Sequence, residues 1–347
     1  MRFNIKRFQT FSDVEWDALI EDMNGSKYQF TFKNISYYSA FKNNKNYSFC
    51  VVDEKKIIAV IAVLINTTNK KNLFFFDNFI VPKPIFHKKI NNSLRRKVFN
   101  FIIDHLKELA IKNNISHINF MSHPIYLINN KPSLDSQNQF ELLSFNVDYK
   151  VHNTLIHDLS NLTYDEMISS LSKYHKKNIN KISNNKDISF INLNYRSNKN
   201  NVEKHFKNFK NLHFKSAGKK TRPDKTWKIM LEKIFDNSAD LFAIKLKSTA
   251  ISYLYCGKFK NFAWGWSQVN SRIYEKKYMP RHILEWKAML YYKDNNIEFY
   301  EIGERYFAQK NFEPSKKEIS ISEFKEKYGA NYYPKPQFRL KFNFQRK

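Results

Sequence analysis

The side chains best suited to chemistry gather between residues 212 and 305. Phe262-Ala263-Trp264-Gly265-Trp266-Ser267-Gln268 reads as a strand interrupted by a glycine. Alternation puts Phe262, Trp264, Trp266 and Gln268 on one face, and Ala263, Gly265 and Ser267 on the other. A glycine inside a strand marks close approach of a ligand or of another backbone. This small face therefore suits an extended, amide-bearing chain or a tight helix–sheet contact. Pro280-Arg281-His282-Ile283 then opens a helix, with proline at the position it tolerates best. Unpaired N–H groups at such a start, with Arg281 and His282 beside them, can hold an anion without a glycine loop. An ordinary basic first turn is the plainer reading. In Ile297-Glu298-Phe299-Tyr300-Glu301-Ile302-Gly303, Glu301 shares a face with Ile297 and Phe299. Desolvation raises a carboxyl pKa, and such a group can take a proton from an amine. The alternative is a structural carboxylate paired with Arg305. Glu304 is a second candidate. Upstream, His213, Lys215, Gly218, Thr221 and Arg222 belong to a basic stretch that reads as a loop between helices and leads to Trp227. Its N–H groups and cations could hold a diphosphate; a solvated basic loop is the default.

Composition narrows the ligands. The chain has 347 residues and only 6 glycines, where average usage is about 7%. No G-x-G pair and no G-x-x-x-x-G-K-[ST] occurs, so the Rossmann, Gly-rich kinase and P-loop phosphate cradles are excluded. Five of the six glycines follow residue 217. Gly257 and Gly329 read as turn or cap positions; Gly265 does not. The net charge is +27, yet only 11 of the 59 basic residues are arginine. Arginine is the preferred reader of phosphate and guanine, so a lysine-rich surface serving an anionic small substrate fits better than a dedicated nucleic-acid reader. Cys50 and Cys256 cannot form a disulfide framework, and the 10 histidines are scattered, so no metal is expected. Cys256 has no adjacent histidine and reads as a small buried hydrophobe rather than a nucleophile. The longest apolar run, Ile57 to Ile65, has 9 residues, against about 20 for a membrane span. The expectation is a cytoplasmic, soluble protein with reduced thiols.

These residues need a scaffold. Ser12-Asp13-Val14-Glu15 and Thr163-Tyr164-Asp165-Glu166 are capping boxes that start helices. Tyr47–Val52, Ile57–Ile65, Leu73–Val81 and His117–Met121 read as strands, with a helix over Ser93–Ile111. After a strand at His152–Asp158, the helix from Thr163 turns basic through Lys173, Lys176, Lys177 and Lys181. Asn192–Asn201 reads as a loop, and Val202–His213 and Trp227–Phe235 as helices. Strands follow at Ala239–Leu246, Thr249–Gly257 and Asn261–Gln268, then a helix to Lys293 and a strand at Ile297–Ile302. A helix over Ser320–Tyr328 and a strand at Phe338–Phe344 close the chain. The second half thus repeats the order of the first. The expected class is mixed α/β (α+β), in two domains over 1–155 and 156–347, each a mostly antiparallel sheet flanked by helices. The 32 Phe, 20 Tyr and 5 Trp suit large cores or a homodimer interface.

Taken in order, five segments resemble the Fem-like branch of the GNAT acyltransferases. They are His213…Gly218…Thr221-Arg222…Trp227, Trp264-Gly265-Trp266, Pro280-Arg281-His282-Ile283-Leu284-Glu285-Trp286-Lys287-Ala288, Tyr300-Glu301-Ile302-Gly303 and Phe324-Lys325-Glu326-Lys327-Tyr328-Gly329. The likeness covers about residues 160–335; the first half is similar only in its order of elements, which looks like a tandem GNAT architecture. It implies transfer of an acyl group from a thioester or ester to a primary amine. The His213–Trp227 pattern is most similar to enzymes that acylate nucleotide-linked (dTDP or UDP) amino sugars for surface polysaccharide, with acyl-CoA as donor. On this reading Glu301, His213 and Glu304 are the catalytic candidates. Gly265, Trp266, Ser267, Gln268, Arg281, His282 and Ile283 lie on the donor side. Lys215, Gly218, Thr221, Arg222, Trp227, Trp264, Glu285, Trp286 and Arg305 lie on the acceptor side. The usual GNAT pyrophosphate motif is absent, so the donor residues rest on position. CoA is expected where the strand ending near Gln268 parts from Ile297–Ile302, with a strand N–H near Trp266 facing the oxyanion. The runner-up is aminoacyl transfer from charged tRNA to a peptidoglycan precursor, although no long helical arm fits between Val202 and Ala239. A third class is a non-catalytic polyanion binder on the same fold. The discriminator is whether Glu301 and the Pro280 helix start converge on one cleft.

Overall fold

The computed structural model describes residues 3–25, 27–68, 71–77, 80–128, 131–134, 141–145, 147–308 and 314–342. The chain divides into two compact units, Met1–Val151 with Pro334–Lys347, and His152–Tyr333. The last strand, Asn331–Lys341, returns to the first unit, where it pairs antiparallel with His117–Met121. Among the described residues, no helix is long and apolar enough to cross a membrane, and no group of three or more metal-ligating side chains gathers.

In the first unit, a five-stranded sheet runs Phe3–Arg7, Phe49–Asp53, Lys56–Ile61, Ile85–His87, Met23–Asn24. The 22-residue helix Asn92–Asn113 packs Val98, Phe99, Ile102 and Leu106 onto one core. That spacing of three to four residues is the stripe expected of a half-buried helix. Helix Asp13–Glu21 begins at the Ser12/Glu15 capping box and buries Trp16 against Phe8 and Phe11. Two expected strands differ. The apolar run 57–65 is broken at Ala62–Val63, and Leu64–Thr68 joins a separate three-stranded sheet. Both pieces are buried, which explains the unbroken apolar sequence. The expected strand 73–81 ends at Phe75; Asp77 and Ile80 pair only in an isolated bridge, and Val81–Pro82 is a separate short strand.

The second unit has strand order Ile188–Leu193, Ala239–Leu246, Thr249–Phe259, Phe262–Asn270, Phe299–Arg305, then residues 152–158 of Asp148–Asp158. All neighbours are antiparallel except Phe262–Asn270 and Phe299–Arg305, which are parallel. Helix Pro280–Asp294 covers one face, packing Leu284, Ala288 and Tyr292 with Phe242, Cys256 and Tyr300. Helices Lys199–Ala217 and Asp224–Phe235 cover the other, where Phe206, Phe209 and Trp227 meet Tyr253 and Tyr255. The helix from Thr163 does not continue into the basic stretch. It stops at Ser170, and Ser172 caps a new helix, Lys173–Ser183. Residues 192 and 193, read as loop, end a strand, and Asn198 caps the helix beginning at Lys199. The helix expected over 320–328 runs Lys316–Glu326 from a third capping box, Ser315/Glu318.

Candidate functional site

The parallel pair is where the sheet opens. Its register runs from Phe262/Phe299 to Trp264/Glu301 and stops there. Each strand carries a β-bulge at that point. Cys256 pairs with Gly265 and Tyr255 with Ser267, so Trp266 is the extra residue. Gly303 pairs with Leu155 and Glu301 with Ile156, so Ile302 is the extra residue. Bulges bend a strand and re-aim its side chains. The two strands therefore diverge just beyond Gly265, in accord with the expected point of parting. The bulge also corrects the simple alternation. Gly265 looks toward helix Pro280–Asp294, whereas Ser267 looks the other way, toward His213.

On the Pro280–Asp294 face, Gly265 leaves room for two buried groups. A Cβ at Gly265 would stand 3.2 Å from the Tyr300 hydroxyl and 3.6 Å from Glu285 Oε1. The tight helix–sheet reading is thus realised here, with polar atoms at the contact. Tyr300 donates to Glu285, and Cys256 Sγ lies 3.8 Å from the same hydroxyl. Burial raises the Glu285 carboxyl above its ordinary value, while the Tyr300 hydrogen bond and the nearby Lys325 charge oppose the rise. Gly303 has φ +127°, and a Cβ there would overlap Lys325 Nζ. Only glycine allows both that backbone and that approach. Lys325 is delivered by helix Lys316–Glu326, whose end is pinned by Arg305 Nε to Glu326 at 2.6 Å. Gln268, further along the parted strand, has a buried amide nitrogen with no hydrogen-bond partner. Buried donors are nearly always paired in folded proteins, so this one marks a place for an acceptor atom.

The opposite face carries the other candidates. The Thr154 hydroxyl donates to Glu301, which is buried, and Thr154 is the register partner of Glu304. Tyr306 donates to Glu304. Glu301 is not held by Arg305, whose guanidinium goes to Glu326 and Ser322 and lies 4.1 Å from the Phe307 ring centre. The Trp264 ring lies flat on Gly257, where a Cβ would overlap it. Gly257 is therefore a mid-strand contact and not a turn residue. Arg222 donates to Ser267 Oγ at 3.1 Å, and Ser267 Oγ is 3.1 Å from His213 Nε2. Arg222 also lies 5.1 Å from the Trp227 ring centre. Burial, then the Arg222 charge, bring His213 down to about 4, so its imidazole is neutral near pH 7. The Trp227 indole N–H is buried without a partner.

The basic stretch is mostly helical. His213 and Lys215 sit in the last turn of Lys199–Ala217, and Gly218 caps it with φ +68°. Lys215, Gly218 and Thr221 are exposed, outside the Arg222–Ser267–His213 group. The Pro280 start is more occupied than expected. Arg281 Nε lies 3.1 Å from Glu275, and its guanidinium lies 4.3 Å from the Phe324 ring centre. His282 is buried against His175 and Phe324 at 4.7 and 4.9 Å, and burial lowers it to about 4. Ile283 and Trp286 belong to the core. Glu301 and this helix lie on opposite faces of the sheet, which is open between them beyond Trp264. Thr154, Tyr300 and Lys325 carried no role in the sequence. Gly303 in the Tyr-Glu-Ile-Gly segment was the available signal, since a glycine there admits the Lys325 ammonium.

No protein-family model matches the chain, and no curated protein matches it in sequence. Solved structures do. The crystal structure of FemX is similar over 99% of this chain and 98% of its own, with 13% identity and a TM-score of 0.64. L-PGS from Bacillus licheniformis is similar over 96% and 93%, with 11% identity and a TM-score of 0.59. A tandem GNAT protein from the clavulanic acid biosynthesis pathway is similar over 99% and 100%, with 9% identity and a TM-score of 0.56. The chain has a tandem GNAT-like fold. In that fold the diverging parallel pair, Phe262–Asn270 and Phe299–Arg305, lies in the second unit.

Proposed function

We propose that the protein is an N-acyltransferase that passes an acyl group from a thioester or ester to a primary amine. The observation that carries this reading is the opening of the sheet at Gly265. The orphaned Gln268 amide, the Lys325 ammonium and the Tyr300–Glu285 pair border it on one face, and Glu301 borders it on the other. The acyl chain lies along the parted strand, with an amide oxygen accepting from Gln268 Nε2. The amine nitrogen attacks the carbonyl carbon directly. Lys325 and a strand N–H near Trp266 stabilise the oxyanion. Glu301, held by Thr154, takes the proton from nitrogen, and the leaving sulfur or oxygen departs with the bond electrons. His213, bonded to Ser267, orients the acceptor side rather than acting as the base.

For substrates, the first reading is acyl-CoA and a dTDP- or UDP-linked amino sugar. Arg222 stacked on Trp227 is its support, since a guanidinium beside an indole face suits a phosphate and a base. The second reading is an aminoacyl ester of tRNA. It is favoured by the Pro280 start, where Arg281 is engaged by Glu275 and His282 is buried, leaving less for a CoA pyrophosphate. FemX and L-PGS are among the similar structures. Incubation with acetyl-CoA and a panel of dTDP- and UDP-amino sugars, with thiol release monitored, is the test. A parallel arm supplies charged tRNA with an amine acceptor. Turnover confined to the tRNA arm would reverse the order of the two readings, and turnover in neither would sink acyl transfer.

A further inference from the structure

A second cavity lies in the same unit, around the start of strand Ala239–Leu246 and the end of helix Pro280–Asp294. It encloses about 270 Å³, a little under the roughly 300–1,000 Å³ of common small-molecule sites. Its size suits a compact ligand and not a CoA-sized one. The floor is the Asp240 carboxylate, whose side chain has 0% exposure. One oxygen accepts from Lys258 Nζ at 3.0 Å and the other from the Tyr292 hydroxyl at 3.1 Å. The acid is thus already compensated within the protein. Lys258, Arg196 and Lys260 also line the cavity, three basic side chains beside one lining carboxylate, with Lys260 engaged by a partner of its own. An ammonium carries three donors, and the bond to Asp240 does not exhaust Lys258. The walls add the rings of Tyr195 and Tyr291. Arg196 Nε donates to the Tyr195 hydroxyl at 2.7 Å, which holds the guanidinium at the rim. Tyr195 is 42% exposed, and the Arg196 guanidinium and Lys258 Nζ lie 5.1 and 5.8 Å from its ring centre.

Excess positive charge over a flat aromatic wall is the chemistry that takes an anionic group attached to a ring. We propose that this cavity binds a compact phosphate ester, the phosphate held by Lys258, Arg196 and Lys260 and the attached ring set between the Tyr195 and Tyr291 walls. A nucleoside monophosphate and a sugar phosphate share that chemistry. The site involves none of the groups assigned to acyl transfer, so it stands or falls independently of that function.

Isothermal titration of the full chain with UMP, glucose 1-phosphate and inorganic phosphate tests it. With the phosphate contact beside Trp227 removed by Arg222→Ala, one ester should bind with one site per chain, at least tenfold tighter than inorganic phosphate, and the preferred ester identifies the attached ring. Lys258→Met risks unfolding by leaving the buried Asp240 carboxylate without its cation. Arg196→Ala with Lys260→Ala instead changes two residues at the cavity's edge; with the circular dichroism spectrum unchanged, it should weaken binding at least tenfold. Arg222→Ala should leave that affinity unchanged. Esters that bind no tighter than inorganic phosphate would overturn the assignment. So would binding that survives the double variant, or binding that Arg222→Ala abolishes.

Discussion

Beneath helix Pro280–Asp294, the buried polar groups are an acid and its surroundings: Glu285, Tyr300, Cys256 and the Lys325 ammonium over Gly303. Beneath helices Lys199–Ala217 and Asp224–Phe235, they are a neutral imidazole and a guanidinium on an indole: His213, Ser267, Arg222 and Trp227. Each face holds a buried N–H donor without a partner beside the opened strand, Gln268 on the first and Trp227 on the second. One sheet thus presents two unlike half-sites, and two bulges one strand apart open the gap between them. The division of labour lies in the backbone as much as in the side chains. Were Trp266 paired in strict alternation and not bulged, Ser267 would share the Gly265 face rather than meet His213.

The largest test of this division removes the charge on each side of the gap. Lys325→Met should lower kcat by roughly 10²–10³-fold, the effect of losing one oxyanion partner. Glu301→Gln should lower it by about 10²-fold, whereas His213→Gln should act chiefly on the acceptor KM. Equal losses of kcat from Glu301→Gln and His213→Gln would erase the distinction between base and orienter. A smaller effect separates the two orphaned donors. Gln268→Leu should raise the donor KM about three- to tenfold and leave the acceptor KM unchanged, the worth of one hydrogen bond. Trp227→Phe should do the reverse. If both variants move the same KM, the half-sites are not distinct.

The smallest effects are in the pH dependence of stability. The Glu285 carboxyl is raised in the folded protein, so the fold binds its proton more tightly than the unfolded chain does. That contribution is full below about pH 4.5 and is lost as pH climbs through the raised value. His213 and His157 run the other way. Burial lowers both to about 4, and neither ring nitrogen of His157 has a partner. Their contribution is full above about pH 6.5 and is lost as pH falls toward 4. Thermal melts across pH 4 to 8 should therefore show Glu285→Gln gaining on the wild type as pH rises. His157→Phe should flatten the acid limb. Melting curves parallel to the wild type at every pH would contradict the burial argument.

Much of the scaffold was legible because its signals are local. The Ser12/Glu15 and Thr163/Glu166 capping boxes and the proline-led helix at 280 follow from a few neighbouring residues. What escaped was non-local. The bulge at Trp266 exists only against Tyr255 and Cys256, so strict alternation put Ser267 on the wrong face. Gly257 looked like a turn because nothing near it in sequence reveals the Trp264 ring across the strand pair. Lys325 is twenty-two residues from Gly303, and only folding brings its ammonium there. Glu301 and Arg305 look like an obvious pair in sequence, yet Glu326 and Thr154 outcompete that pairing in space.

The return of the last strand to the first unit has a consequence for synthesis. Strand His117–Met121 is flanked by Val81–Pro82 on one side and by the final strand on the other. The ribosome must add about 210 further residues before that second neighbour begins to emerge, roughly 10–40 s at ordinary elongation rates. During that interval the His117–Met121 backbone has an open edge, the kind that recruits foreign strands. The second unit has all its strands in hand earlier. In the nascent chain, the part made first is the part finished last.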